Sequence, residues 1–289
     1  MTVSAQSRRM LGLAGLGLAL VGCGAGRDVA PPIVERPSLT VQPPAPPPAP
    51  TIRRTRTFGH SAAGRRLRVV ERGTRGSERS VLVVGCIHGT ECAGTAITRR
   101  LLRGAAPRGA LLSIVPNLNP DGRAAGTRLN GRGVDLNRNF PSEWRPFQRR
   151  GDPQYSGPRP LSEPESRAIA RLIRARRPRV TIWFHQPQAI VRAWGPSVPA
   201  ARRYARLADV SFRRIRWPNG TASNWQNHRF PGTSSFVVEL PAGELDGAAA
   251  RRHAAAVREL ASALSTRSAR SRPAAATTLT RPWRATSRP

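Results

Sequence analysis

The run Ser80-Val81-Leu82-Val83-Val84-Gly85-Cys86 constrains this chain more than any other feature. A strand with one wet face alternates polar and apolar residues, whereas a continuous Val/Leu run must be covered on both sides. Ala110 to Val115, Val180 to Phe184 and Ser235-Phe236-Val237-Val238 read the same way. Between these runs lie stretches with helical spacing, Glu91 to Arg103, Pro199 to Phe212 and Gly247 to Leu264. Ser162-Glu163-Pro164-Glu165 reads as a capping box with Ser162 as N-cap, opening a further helix to about Arg176. Strands alternating with helices predict an α/β domain with a mostly parallel sheet covered on both faces.

Such sheets collect ligands at the carboxyl ends of their strands. His88 follows the strand ending at Cys86, His185 directly follows Val180–Phe184, and Glu239 closes Phe236-Val237-Val238. Glu91 lies three residues beyond His88, and Gly89 lets the intervening turn be tight. A lone His-x-x-Glu is weak evidence. Two histidines and a carboxylate leave an open fourth position on zinc, the arrangement of catalytic rather than structural sites.

The flanks read differently. Arg8-Arg9 precedes a short apolar run, Leu11 to Val21, too brief to span a bilayer and followed by Gly22-Cys23. A basic start, a short apolar core and small residues predict a signal peptide over 1–22. The paired arginines resemble a twin-arginine export signal. Leu20-Val21-Gly22-Cys23 resembles a lipobox, which would make Cys23 the lipidated first residue of an exported, membrane-anchored chain. Residues 23–57 hold a proline-rich linker, including Pro43 to Pro50, that favours polyproline II and acts as a semi-rigid spacer. Residues 265–289 carry six arginines and no acid, and read as a disordered basic tail.

Cys86 and Cys92 are then the remaining cysteines, and outside a reducing cytoplasm they can pair. Export in an already folded state argues the other way, and sequence leaves their bonding open.

The net charge of +32 invites a nucleic-acid reading. All 48 basic residues are arginine, which phosphate binding does not demand, because lysine also binds phosphate well. With no nucleic-acid motif and few aromatics, anionic wall polymers or lipid head groups account for external positive charge at least as well.

His88-Gly89-Thr90-Glu91, Asn119-Pro120-Asp121-Gly122 and Gly133-Val134-Asp135-Leu136-Asn137-Arg138-Asn139-Phe140-Pro141 stand in an order and spacing that resemble the zinc carboxypeptidase family. Leu161-Ser162-Glu163-Pro164-Glu165, His185 and Val238-Glu239-Leu240 complete a likeness spanning residues 58–264. The chain looks most like the short bacterial branch of murein peptide amidases, which cut the γ-D-glutamyl–meso-diaminopimelate bond of wall peptides. The resemblance implies a three-layer α/β/α fold around a mixed, mostly parallel sheet. It also implies one Zn²⁺ held by His88, Glu91 and His185, with Glu239 as general base. By the same comparison Asn137 and Arg138 grip the substrate's terminal carboxylate, Ser223 lies near the floor of the side-chain pocket, and Arg128 stabilises the oxyanion. Arg132 is a rival for that last role. A tyrosine that digestive members carry shortly before the base strand has no counterpart in Arg216-Trp217-Pro218-Asn219-Gly220-Thr221. His253, in mid-helix, is expected to be solvated.

Two other functions fit parts of this pattern. A related zinc enzyme could deacylate N-acyl amino acids, although Asn137 and Arg138 favour a peptide with a free C-terminus. A wall-binding lipoprotein with an idle metal site is disfavoured by the presence of every ligand and of Glu239.

Overall fold

The computed structural model describes residues 50–265. The signal segment 1–22, Cys23, the proline-rich stretch through residue 49 and the tail from residue 266 lie outside the described residues. Within them the four apolar runs are the centre of an eight-stranded sheet. In chain order its strands are β1 (Thr51–His60), β2 (Arg66–Thr74), β3 (Ser80–Val84), β4 (Leu111–Val115), β5 (Val180–His185), β6 (Gln188–Ala193), β7 (Phe212–Arg214) and β8 (Ser234–Pro241). They lie in the order β1-β2-β4-β3-β5-β8-β6-β7. The central β4, β3, β5 and β8 run parallel, while β1 and β2 on one side and β6 on the other are joined antiparallel. The sheet is therefore mixed, with β6 and β7 also parallel at its far edge, and the apolar runs are its central parallel strands. Six α-helices accompany it: α1 (Gly94–Arg103), α2 (Pro120–Ala124), α3 (Pro164–Arg176), α4 (Val198–Ala208), α5 (Ala222–Arg229) and α6 (Gly247–Ser262).

Neighbouring residues of β2 show how the faces are covered. Glu71 is buried and ion-pairs at 2.9 Å with Arg176 of α3. Arg72, pointing the opposite way as alternation requires, donates to the Leu101 and Gly104 carbonyls at the end of α1. Helix α3 thus covers one face, and α1, packed with α6 and α4, covers the other. No helix among the described residues is long and apolar enough to cross a membrane.

Several boundaries differ from expectation. β1 starts at Thr51, inside the 23–57 segment assigned to the linker, so the folded domain begins ahead of Phe58. This is an edge strand, and its Arg-Arg-Thr-Arg pattern, which protects an open edge, hides its apolar period. Ser162 is not a helix cap. The N-cap of α3 is Glu163 and Pro164 is its first residue. The Ser162 hydroxyl accepts from Asn139 Nδ2 instead, while Glu165 accepts from Ala62 N and Asn130 Nδ2. The predicted box residues are spent on holding separate loops together. Helix α1 starts at Gly94 rather than Glu91, whose carboxylate stays in the turn before it. Helix α4 ends at Ala208 because Asp209 takes a left-handed φ of 53°, and Phe212, expected in the helix, begins β7.

His253 is the clearest correction. It is 3% exposed rather than solvated, with Nδ1 2.8 Å from the Tyr204 hydroxyl and its ring edge-on to Phe184. Helix α6 turns this position toward α4 and the sheet; the surrounding alanines left the direction unreadable in sequence. Burial, helped by Arg252, lowers the His253 pKa to about 4. Below the ordinary histidine pKa near 6.5 the unfolded chain takes up this proton and the folded chain does not, so folding loses free energy as pH falls. Between about pH 6.5 and 4 this one group should cost on the order of 3 kcal/mol. Denaturant titrations over that range should show a shallower slope in His253→Gln; an identical slope would assign the loss to other groups.

Candidate metal centre and active-site cavity

The turn after β3 places His88 and Glu91, and the end of β5 places His185. One nitrogen from each ring and a Glu91 oxygen lie within 4.8 Å of one another. In both histidines it is Nδ1 that faces Glu91 Oε2, at 2.9 Å. Gly89 makes this turn possible by close approach rather than by a left-handed φ. A Cβ there would sit 2.1 Å from the Gly122 carbonyl carbon and 2.3 Å from the Thr127 oxygen. The Asn119-Pro120-Asp121-Gly122 string is the other side of that contact. Asn119 caps α2 through Gly122 N and holds the 128–129 backbone through its amide.

Glu239 reaches the same place from β8. It is the direct ladder partner of His185, so both side chains stand on one face of the sheet at adjacent strand ends. Glu239 is 8% exposed, and its Oε2 meets no hydrogen-bonding group of the protein. It lies beside the His–Glu–His set, not within it. A buried carboxylate oxygen without a partner is costly unless something else uses it.

The Asp135–Pro141 string surrounds these groups, and each polar member has a separate task. Asp135, fully buried, accepts from Asn137 N at 2.8 Å, lies 2.9 Å from His88 Nε2, and takes Nε and Nη2 of Arg128 at 3.2 and 3.1 Å. Holding Nε2 of His88 in this way fixes the ring and leaves Nδ1, on the Glu91 side, as the nitrogen that could hold an ion. Asn137 accepts from Ala222 N through Oδ1, which turns its amide nitrogen toward His185. Asn139 pins the loop by donating to Ser156 O, Arg159 O and Ser162 Oγ. Phe140 anchors it against Trp183 and Trp225.

The electrostatics follow from that wiring. Burial acts to lower the His88 pKa, but the Asp135 and Glu91 carboxylates outweigh it and hold it above the usual value. For His185 burial wins, and its pKa is lowered. Burial acts to raise Glu91, yet hydrogen bonding to His185 and His88 holds it far below the carboxylate range. Asp135 behaves likewise, with His88 and then Arg128 overcoming its burial. Glu91 and Asp135 flank His88 on its two ring nitrogens, so a divalent ion binding at Nδ1 competes with a proton there. Two histidine nitrogens, one carboxylate and a fixed outer shell suit zinc.

His88, Glu91, His185, Glu239, Arg128, Asn137, Arg138 and Ser223 all line one cavity of about 370 Å³. A roomier cleft under α3, lined by Arg54, Glu71 and Arg176, contains no histidine or cysteine. The fold separates Arg128 from Arg132: the former ion-pairs with Glu91 and Asp135, the latter lines another cleft with Arg159 and Glu163. Arg138 donates to Gln154 Oε1 at 2.6 Å. Burial lowers its pKa, Asp135 opposes that, and Arg128 and Arg192 add like charge. Ser223, 2% exposed, meets Ser235 at 3.3 Å. Tyr204 is in the core and Tyr155 lines the Arg132 cleft, so no tyrosine lines this cavity and Trp217 stands in its wall. Cys86 and Cys92 are bonded across the turn that carries His88 and Glu91, with Cα atoms 4.7 Å apart.

Sequence reasoning assigned no task to Asp135, Gln154 or Arg192. Asp135 was in plain view inside the motif. Arg192 was hidden among 48 arginines, its one signal being a charge between Val191 and Ala193 in an apolar stretch.

Comparison with known proteins gives consistent matches. The zinc carboxypeptidase family profile matches residues 48–224. Murein peptide amidase A of Escherichia coli (strain K12) is 33% identical over 145 residues, covering 46% of this chain and 54% of that protein. Gamma-D-glutamyl-L-diamino acid endopeptidase 1 of Lysinibacillus sphaericus is 30% identical over 175 residues, covering 46% of this chain and 42% of that protein. The chain thus spans about half the length of the curated relatives it matches. The crystal structure of murein-tripeptide amidase MpaA from Escherichia coli O157 superposes with a TM-score of 0.59 at 25% identity, over 76% of this chain and 94% of that one.

Proposed function

This chain belongs to the zinc carboxypeptidase family, and from that premise we propose that it is a zinc-dependent peptidase. Its substrate in this reading is a wall-derived peptide cut at the γ-D-glutamyl–meso-diaminopimelate bond. The observation that carries the proposal is that Glu239, a carboxylate with a buried and unpartnered oxygen, lines the same cavity as His88, Glu91 and His185. The names of the relatives support the substrate class, since they describe a murein peptide amidase and a γ-D-glutamyl-diamino acid endopeptidase.

His88, Glu91 and His185 would hold one Zn²⁺, which supplies Lewis acidity that acidifies water and polarises a carbonyl. Asn137 and Arg138 bind the terminal carboxylate, a guanidinium fork matching its two oxygens. Glu239 takes a proton from the attacking water on its carboxylate as the oxygen–carbon bond forms. It then delivers that proton to the departing amine nitrogen as the carbon–nitrogen bond breaks. Arg128 keeps three of its five N–H groups on Glu91 and Asp135 and has two left for the oxygen that gains charge. Ser223 offers a small polar floor for the side chain of the released residue.

The signal at 1–22 and lipidation of Cys23 would put the domain outside the cytoplasm on a spacer, near its substrate and near anionic wall polymers. A Cys23→Ala protein should then leave the membrane fraction; retention there would refute the anchor.

The deciding assay uses L-Ala-γ-D-Glu-meso-diaminopimelate. Release of free diaminopimelate should occur with zinc, stop with a chelator, and return when zinc is restored. Release that ignores the chelator, or no release with zinc present, would overturn the proposal.

A further inference from the structure

Arg192 is a charged residue in the cavity for which the roles above have no use. It lies on β6 opposite Val237 of β8, two residues before Glu239, so it stands on the Glu239 face of the sheet but deeper along the strand. Two residues of strand are roughly 7 Å. Its guanidinium lies over the Trp217 ring, 5.7 Å from the centroid. Nε is buried without a partner, and the one hydrogen bond from the group to another residue is a 3.5 Å contact from Nη2 to the Arg216 carbonyl. No carboxylate among the described residues lies within ion-pair distance of it, although Glu239 is near enough for its charge to be felt. Burial lowers its pKa and Glu239 works against that. Arg138, on the same cavity, also has no direct carboxylate partner, and the two guanidinium groups repel each other.

Two partly desolvated cations sharing one small cavity are unfavourable unless a ligand brings two anions. One anion is the terminal carboxylate already placed on Arg138. We infer that Arg192 is a specificity-determining residue that binds a second carboxylate, carried on the side chain of the substrate's C-terminal residue. The substrate class is thereby narrowed to peptides ending in a dicarboxylic residue. Trp217 lies against the guanidinium, which lines the cavity and carries the forked N–H groups that a carboxylate matches. In a diamino dicarboxylate the carboxylate at the far end of the chain would fill this position, and a terminal lysine, with an ammonium ion and no carboxylate, would leave it empty. The inference rests on the peptidase reading for the placement of the terminal carboxylate on Arg138.

The test pairs two probes that differ in that carboxylate. Free meso-diaminopimelate and free L-lysine are titrated calorimetrically into the zinc-loaded full protein. L-Ala-γ-D-Glu-meso-diaminopimelate and L-Ala-γ-D-Glu-L-Lys are compared in turnover. The wild-type protein should prefer the dicarboxylate by roughly 10- to 100-fold in affinity and in kcat/KM, the range for a charge-assisted hydrogen-bonded pair. Arg192→Gln should bring both ratios to about one by losing the diaminopimelate probe while leaving the lysine probe unchanged. Arg192→Lys, which keeps the charge but not the fork, should retain part of the preference, and it decides the question if the Gln variant does not fold. Equal losses on both probes would mark Arg192 as structural, and an unchanged ratio would remove it from recognition. Either outcome overturns the inference. If neither peptide is cut, the peptidase proposal fails, yet an Arg192-dependent preference in binding would still uphold the second carboxylate site.

Discussion

Glu239→Gln should reduce peptide release by roughly 10²- to 10⁴-fold while leaving zinc stoichiometry at wild-type level. The amide has the same shape and fits the same strand position, so β8 and the core around Phe236 and Val238 should be undisturbed. What it cannot do is accept a proton from water and return it. Glu239 lies outside the His88–Glu91–His185 set, which is why metal content should not change. Zinc measured by elemental analysis on the same preparation used for turnover separates the two effects. Turnover close to wild type would mean that another group carries the proton; loss of zinc along with turnover would make Glu239 part of the metal shell.

Asp135→Asn is expected to be the most damaging change at a residue that is itself neither a proposed metal ligand nor a substrate contact. The carboxylate is fully buried and ties His88, two N–H groups of Arg128 and the Asn137 backbone to one point. An asparagine can keep one acceptor there, but its NH₂ meets donors and the negative charge opposite Arg128 is gone. Zinc affinity should fall about 10- to 100-fold, the usual cost of losing an outer-shell partner. Arg128 keeps Glu91 but loses the acceptor of two hydrogen bonds, which should also cost on the order of 1–3 kcal/mol of folding stability. Chelator competition and thermal unfolding read the two losses separately. Excess zinc should restore part of the activity, and an unchanged zinc affinity would show that His88 is oriented without Asp135.

These expectations draw unequally on sequence and structure. Apart from Arg192, the residues proposed as ligand, base or carboxylate grip were pointed to by strand-end position and by the resemblance of their motifs to the family. The central strands were legible too, because a buried parallel strand leaves an apolar run that nothing else imitates. The arginine-rich edge β1 was not, since its side chains answer to solvent and to the need to block edge pairing. The false capping box at Ser162 shows the complementary failure. A local pattern had the right residues, but distant loops at Asn130, Asn139 and Ala62 outbid the helix for their hydrogen bonds.

Arginine marks the limit most sharply. A guanidinium has the same one-letter code whether it covers surface, closes an ion pair or waits for a substrate. The sequence by itself determined the α/β class, because the apolar run of a buried strand is local and survives without neighbours, and the order of its motifs resembled the zinc carboxypeptidase family and so pointed to His88, Glu91 and His185. Only the tertiary structure decided that Arg128 pairs with Glu91 while Arg132 lines another cleft, that Cys86 and Cys92 meet, that His253 is inside, and that Arg192 stands over Trp217 with no ion pair among the described residues. Each of those is a matter of which groups from distant segments share one small, poorly solvated volume, and burial rather than residue type sets what a charge there must do.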